Sequence, residues 1–80
     1  MNEYTAVFYS HFGAAAYCKA LKKQGIAAKL APVPRKISAS CGSCVRYAHS
    51  RPIEVNDCDL EAIYAQTGDK LECVVKTDDE

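Results

Sequence analysis

The chain has 80 residues, which is enough for one domain near the lower size at which a single hydrophobic core is stable. Hydrophobic residues make up 49% of the chain, a composition that is typical of globular proteins and excludes extended disorder. Ten basic residues balance ten acidic ones, so no net field attracts nucleic acid or an anionic membrane surface.

The sequence also lacks targeting and membrane signals. No apolar run approaches the roughly 20 residues that are needed to span a bilayer. The first ten residues, MNEYTAVFYS, lack the basic region and cleavage site of a secretory signal. We therefore expect a cytoplasmic protein that binds neither membranes nor nucleic acid. It would be a single domain over residues 1–80, with a core of about residues 4–76 and an acidic tail at 77–80.

The first part of the chain predicts a strand, a helix and a second strand. Residues 4–10 (YTAVFYS) are β-branched and aromatic with little charge, which is typical of a central strand. Ser10 is a suitable N-cap for a helix that begins at His11 and is closed by Gly25. Residues 26–33 (IAAKLAPV) then predict a second strand, and its prolines indicate an edge position.

The second part predicts a strand, a helix and a strand. Residues 45–50 (VRYAHS) favour a third strand, with a short helix that begins just before them as an open alternative. Asn56 or Asp57 would cap a second helix that ends at Gly68. Residues 71–76 (LECVVK) predict the last strand. The apolar face of the second helix would comprise four side chains, Leu60, Ile63, Tyr64 and Thr67.

The element order β-α-β-β-α-β predicts an α+β fold of the ferredoxin-like type. This fold is a two-layer sandwich in which two helices cover one face of a four-stranded antiparallel sheet. The other face of such a sheet is open in a monomer. Because a core this small benefits from further burial, we expect a homodimer through the open sheet face.

Five cysteines are a high density for so short a chain. Their number is odd and no secretory signal is present, which favours core, metal-binding or reactive thiols over disulfides. Cys18 lies on the apolar face of the first predicted helix, and Cys73 on the inner face of the last predicted strand, so we expect both to be buried. Cys58 opens the second predicted helix, where the helix N-terminus would lower the pKa of a thiol, although packing is the simpler interpretation.

The other two cysteines, Cys41 and Cys44, form a Cys-Gly-Ser-Cys pair after an irregular segment with two prolines and a basic pair. Cations near a thiol stabilise the thiolate, which is the form that acts as nucleophile and ligand. Hydroxyl groups donate hydrogen bonds to an anion, and glycine allows a bound group to approach the backbone. The pattern therefore predicts an anion-stabilising environment made of Arg35, Ser38, Ser40, Gly42 and Arg46.

Three chemistries fit this pair. A zinc or iron–sulfur site would need further ligands, such as His49 and Cys58, because a tetrahedral site takes four. Dithiol exchange of the thioredoxin type is less well supported, since the pair follows the second strand and precedes no long helix. Carriage of a sulfur or selenium atom, as a persulfide or perselenide, needs one accessible thiolate, nearby cations and a mobile loop.

Residues 32–42, PVPRKISASCG, resemble the signature of a short bacterial family of selenium/sulfur carrier protein-like domains. The similarity extends over about residues 4–76. The resemblance implies that Cys41 carries the chalcogen atom and that Arg35, Ser38, Ser40 and Gly42 surround it. Cys44 lies outside this signature.

The sequence therefore predicts a carrier or accessory protein in selenium or sulfur trafficking, and not a turnover enzyme. It would hold no cofactor apart from the covalently carried atom, with zinc as the alternative. Its partners would be proteins that donate and accept the chalcogen. Cys44 would release the atom by forming a disulfide with Cys41. A metal-binding module on the cysteine pair, a dithiol redox protein and a plain interaction domain are the alternatives.

Overall fold

The computed structural model describes residues 2–37, 39, 41–55 and 58–76. In these ranges the chain forms one helix and five strands, and each pair of neighbouring strands is antiparallel. The strand order in the sheet is β2-β3-β1-β4-β5. The elements are β1 (Asn2–Phe8), α1 (His11–Lys23), β2 (Ala28–Pro32), β3 (Ser43–His49), β4 (Leu60–Thr67) and β5 (Lys70–Lys76).

The predicted ferredoxin-like sandwich is wrong. Residues 60–67 form strand β4 in place of the second helix, so the fold is α+β with five strands and one helix. The predicted caps of that helix, Asn56 and Asp57, lie outside the described residues. The other five elements have the predicted type, with boundaries that differ by a few residues.

The helical spacing in β4 comes from a β-bulge. Phe8 pairs with Leu60 and Ala6 pairs with Ile63, so two steps along β1 match three steps along β4. A bulge of this kind places one extra residue in a strand. It puts Leu60 and Ile63 on the same face of the sheet although they are three residues apart, and both side chains join the main core. A spacing that is typical of a helix thus arises in a strand.

The Gly68–Asp69 step, predicted as a helix end, is the turn of a β-hairpin. Thr67 pairs with Lys70, which leaves two residues in the turn. Gly68 has a φ of 61° at the first of these positions, as a type II′ hairpin turn requires. The hairpin adds β5 to the sheet as an edge strand, next to β4.

Helix α1 packs on one face of the sheet and forms the main core with it. Ser10 caps the helix as predicted, since its Oγ accepts a hydrogen bond from the Gly13 backbone N–H at 3.0 Å. The buried residues of this core come from α1, the sheet and the segment before β4: Tyr4, Ala6, Phe8, Ala14, Tyr17, Cys18, Leu21, Val45, Tyr47, Cys58, Leu60 and Ile63.

No helix in the described ranges has the length and apolarity that crossing a membrane requires.

A second, smaller core lies on the opposite face of the sheet. The β2–β3 loop, of which residues 33–37, 39, 41 and 42 are described, packs on this face through Ile37, which is 6% exposed. Ile37 belongs to one buried cluster with Val7, Cys44 and Ala62. The face that we expected to be open is therefore partly covered by the loop. The homodimer stays a prediction, with less apolar surface available to it.

Candidate functional site

Cys41 is a half-buried residue at the end of the β2–β3 loop, just before β3. The Val33 backbone N–H donates to the Gly42 carbonyl at 3.1 Å, which closes the base of the loop. The Ser43 backbone N–H donates to Cys41 Sγ over an N···S distance of 3.3 Å. A backbone donor in this position holds the sulfur in one orientation and offsets negative charge on it.

Ser43 also connects Cys41 to the start of helix α1. The Ser43 Oγ lies 2.8 Å from His11 Nδ1, and the tautomer of the imidazole decides which group donates. The pairing of Val7 with Cys44 brings the end of β1, and hence the first turn of α1, beside the start of β3. The site therefore consists of the Cys41 thiol, Ser43 and the His11 imidazole.

The space beside Cys41 is open at Gly42. Gly42 is exposed, and a Cβ atom at this position would meet no atom within 4 Å apart from those of its two chain neighbours, Cys41 and Ser43. Its φ lies outside the positive region, so the backbone turn itself does not require glycine here. The missing side chain instead leaves room for a group that approaches the Cys41 sulfur.

Cys44 has a different environment from Cys41. It is 0% exposed, lies beneath Ile37 in the second core, and its Sγ donates to the Pro32 carbonyl at 3.5 Å. Burial raises the pKa of the Cys44 thiol, and the nearby Arg46 guanidinium opposes this only in part. The neutral thiol of Cys44 is therefore favoured over the thiolate, which is the form that would attack a group on Cys41.

The predicted anion-stabilising cations lie in different places. Lys36, the second residue of the basic pair, was expected to assist Arg35, but its Nζ donates to the Asp69 carbonyl at 2.8 Å, which ties it to the β4–β5 turn. Arg46 is three residues beyond Ser43 along β3, or roughly 10 Å at the rise of a β-strand. Arg35 is exposed on the same loop as Cys41. The other two predicted residues of this environment, Ser38 and Ser40, lie outside the described residues.

The alternative metal ligands do not converge on Cys41. Cys44 pairs with Val7 at one end of β3, whereas His49 pairs with Asn2 at the other end. Cys58 belongs to the main core on the helix side of the sheet, and Cys44 to the core on the opposite side. Across the described part of the chain, no three His, Cys, Asp or Glu side chains form a group that could hold a metal ion.

The other cysteines agree only in part with the predictions. Cys18 is buried on the inner face of α1, as predicted, with 7% of its surface exposed. Cys73 is exposed, so its predicted burial is wrong, because β5 is an edge strand that the helix does not cover. Cys58 is buried just before β4, and residues 60–67 form a strand, so the predicted effect of a second helix on its thiol does not apply.

The sequence predicts a surface position for His11 at the start of a helix, and His11 is exposed, but its proximity to Ser43 was not evident. The signal that could have identified it is topological. In the predicted arrangement, β1 and the third strand are antiparallel neighbours, so the residue after β1 lies beside the residue before the third strand. With the predicted bounds of 4–10 and 45–50, His11 follows the first strand and Ser43 precedes the third; in the structure Ser43 is the first residue of β3 and His11 the first residue of α1.

A family model described as Putative Se/S carrier protein-like matches residues 3–65. The chain belongs to this family. The matched range includes His11, Cys41 and Ser43. It covers β1 from its second residue, α1, β2, β3 and most of β4, while β5 lies outside it. No curated protein and no solved structure matches this Se/S carrier-like chain.

The Ile37 side chain anchors the loop of this Se/S carrier-like chain, which leads to a first prediction. We expect Ile37→Ala to cost about 2 kcal/mol, the lower end for such a truncation, because a loop can relax around the lost volume. If this loss acts on local opening of the loop, Cys44 becomes accessible about thirtyfold more often. The measurement is the alkylation rate of Cys44, followed by mass spectrometry under native conditions.

Ile26→Ala is the matched control for this prediction. The substitution is chemically the same, but Ile26 is partly buried and packs against the main core, away from the loop. It should leave Cys44 alkylation near the wild-type rate. An unchanged Cys44 rate in Ile37→Ala would show that Ile37 does not hold the loop over this thiol.

Proposed function

We propose that this chain holds one sulfur or selenium atom on Cys41 Sγ and transfers it to a partner protein, without turnover of its own. The observation that supports this most directly is the half-buried Cys41 thiol, with a backbone N–H donor on its sulfur and open space at Gly42. Membership of a family described as Se/S carrier-like supports the same proposal.

Loading is a transfer between thiols. The Cys41 thiolate attacks the outer sulfur of a persulfide on the donor protein. A new S–S bond forms on Cys41, the S–S bond of the donor breaks, and the donor cysteine leaves as a thiolate. The step needs no external oxidant or reductant, because the transferred sulfur keeps its oxidation state. A donor perselenide delivers selenium in the same way.

The residues beside Cys41 would stabilise the loaded form. The terminal sulfur of a persulfide lies about 2 Å beyond Sγ, and the open side of Gly42 leaves room for it. Its negative charge would be offset by the Ser43 N–H, and the His11 imidazole would add a polar group through its hydrogen bond with Ser43 Oγ. Arg35 would contribute from the same loop, together with Ser38 and Ser40.

Release would occur by attack from the acceptor. An acceptor thiolate attacks the terminal chalcogen, the bond to Cys41 Sγ breaks, and Cys41 leaves as a thiolate. This route leaves Cys44 unchanged and restores the carrier directly. Release by Cys44 would instead form a disulfide that a reductant must then break. The burial of Cys44 favours transfer to the acceptor.

The test is to load the reduced protein with a small persulfide donor, or with a glutathione selenosulfide, and to measure the intact mass. We expect one chalcogen atom per chain, removable by dithiothreitol and assigned to Cys41 by fragmenting the peptide that also contains Cys44. Cys73 is the internal control, because it is exposed but has no such site around it. Equal loading of Cys73, or no labile adduct with any donor, would contradict the proposal.

A further inference from the structure

A groove lies on the sheet face opposite α1, beside the β2–β3 loop. It consists of two adjoining cavities of about 280 and 220 Å³, which share the lining residues Thr5, Arg46 and Gln66. Lys29 lines the first cavity and Lys36 lines the second. These five residues are called the sheet-face groove below.

Two cations stand directly opposite each other in this groove. Lys29 on β2 pairs with Arg46 on β3 in the antiparallel register, and both side chains line the same cavity. Directly paired residues have Cβ atoms about 4.5–5.5 Å apart, and like charges at this distance are unfavourable. Within the described residues, neither cation forms an ion pair with a carboxylate. An anion bound between them would remove this repulsion.

The other lining groups suit an oxyanion. Thr5 is almost completely buried and offers a hydroxyl. The Gln66 amide also lines the groove, with its Nε2 already donating to the Gly68 carbonyl. The guanidinium of Arg46 can donate two parallel hydrogen bonds to one oxyanion. Two carboxylates also line the groove, Glu3 in the first cavity and Asp69 in the second, but neither lines both cavities.

We infer that the sheet-face groove binds a small molecule that carries an oxyanion, such as a phosphate or sulfate group, between Lys29 and Arg46. The first cavity, of about 280 Å³, is close to the lower size limit of small-ligand pockets, which suits a small anion. This binding does not depend on the chemistry of Cys41. Arg46, which the sequence assigned to the thiolate, acts in this second site.

The test uses inorganic phosphate and sulfate, added to the full chain at constant ionic strength with chloride as the replaced anion. Backbone amide shifts should saturate, with the largest changes at Thr5, Lys29, Arg46 and Gln66. Arg46→Gln should weaken binding by about tenfold or more, because it removes a charge-assisted contact. Lys29→Gln should also weaken it. Lys23→Gln, an exposed change at the end of α1, should bind as wild type.

Three outcomes would overturn the inference. The first is a set of shifts that never saturates and spreads over all lysine-bearing segments, which would indicate general screening. The second is wild-type affinity in a folded Arg46→Gln variant, whose thermal unfolding shows that it is intact. The third is binding of an acidic peptide in the absence of inorganic anion binding, which would make the groove a protein-docking surface. The Cys41→Ser variant should bind the anions normally. A failure of the carrier proposal can therefore be distinguished from a failure of the anion-binding proposal.

Discussion

Replacing Cys41 by serine should remove all reducible chalcogen from the loaded protein. A serine hydroxyl is not ionised at neutral pH and cannot accept the atom, whereas the Cys41 sulfur is half-buried and already receives the Ser43 N–H. The measurement is the amount of cyanide-reactive sulfur per chain after loading and desalting. Transfer to an acceptor thiol should be lost in parallel.

Cys44→Ala is the matched variant, because it removes the other thiol of the same Cys-Gly-Ser-Cys pair. It should load to the same extent as wild type, since burial raises the pKa of the Cys44 thiol and keeps it neutral. It should also lose its chalcogen at the wild-type rate when no acceptor is present. A much longer retention in Cys44→Ala would identify Cys44 as the release thiol and contradict transfer to the acceptor as the only route.

Gly13→Ala should destabilise the protein by about 3 kcal/mol, although alanine is the better helix former. Helix propensity alone would favour alanine by about 1 kcal/mol. A Cβ atom at this position, however, would overlap the Cys58 carbonyl and crowd Asp59 Cβ. The clash is with backbone, which cannot rotate away, so the cost exceeds that of ordinary overpacking. The measurement is the free energy of unfolding in urea.

Asp59 explains why this contact is rigid. Its carbonyl accepts the Tyr9 backbone N–H at 2.8 Å, and its carboxylate accepts the Ser10 hydroxyl at 2.7 Å. Its φ of 53° is in the left-handed region, which aspartate tolerates better than most residues. The start of α1 is thus fixed to the segment before β4, and Gly13 allows the two backbones to meet.

Gly42→Ala is the control for the Gly13 change, because its Cβ atom would enter open space. It should leave the free energy of unfolding almost unchanged. We expect it to slow chalcogen transfer to a bulky acceptor, since it adds a methyl group to the exposed residue next to Cys41. Equal stability of Gly13→Ala and Gly42→Ala would show that α1 can move away from the segment before β4.

Local sequence signals were sufficient to predict β1 and α1. The β-branched and aromatic run before Ser10 and the capping oxygen of Ser10 itself act within a few residues of the chain. The structure confirms both elements, and also the strand character of β2, β3 and β5. These predictions succeeded because neighbouring residues decide them.

The prediction of a second helix was wrong because a long-range strand pairing determines the structure of that part of the chain. Leu60 and Ile63 have helical spacing, and only the bulge against β1 places them on one face of a strand. The sequence did contain a competing signal, since Gly68-Asp69 between two apolar runs is also a hairpin turn. No local feature distinguished these interpretations.

The sequence by itself determined the family and the cysteine pair, because the residues from Pro32 to Gly42 form a contiguous signature. Only the tertiary structure distinguished the two thiols. Cys41 lies at the end of a loop with open space beside it, whereas Cys44, three residues later, points into the second core. The structure also placed His11 beside Ser43, although 32 residues separate them. The burial of each thiol and the proximity of His11 to Ser43 depend on how distant strands pair. The spacing of residues along the chain does not directly specify that pairing.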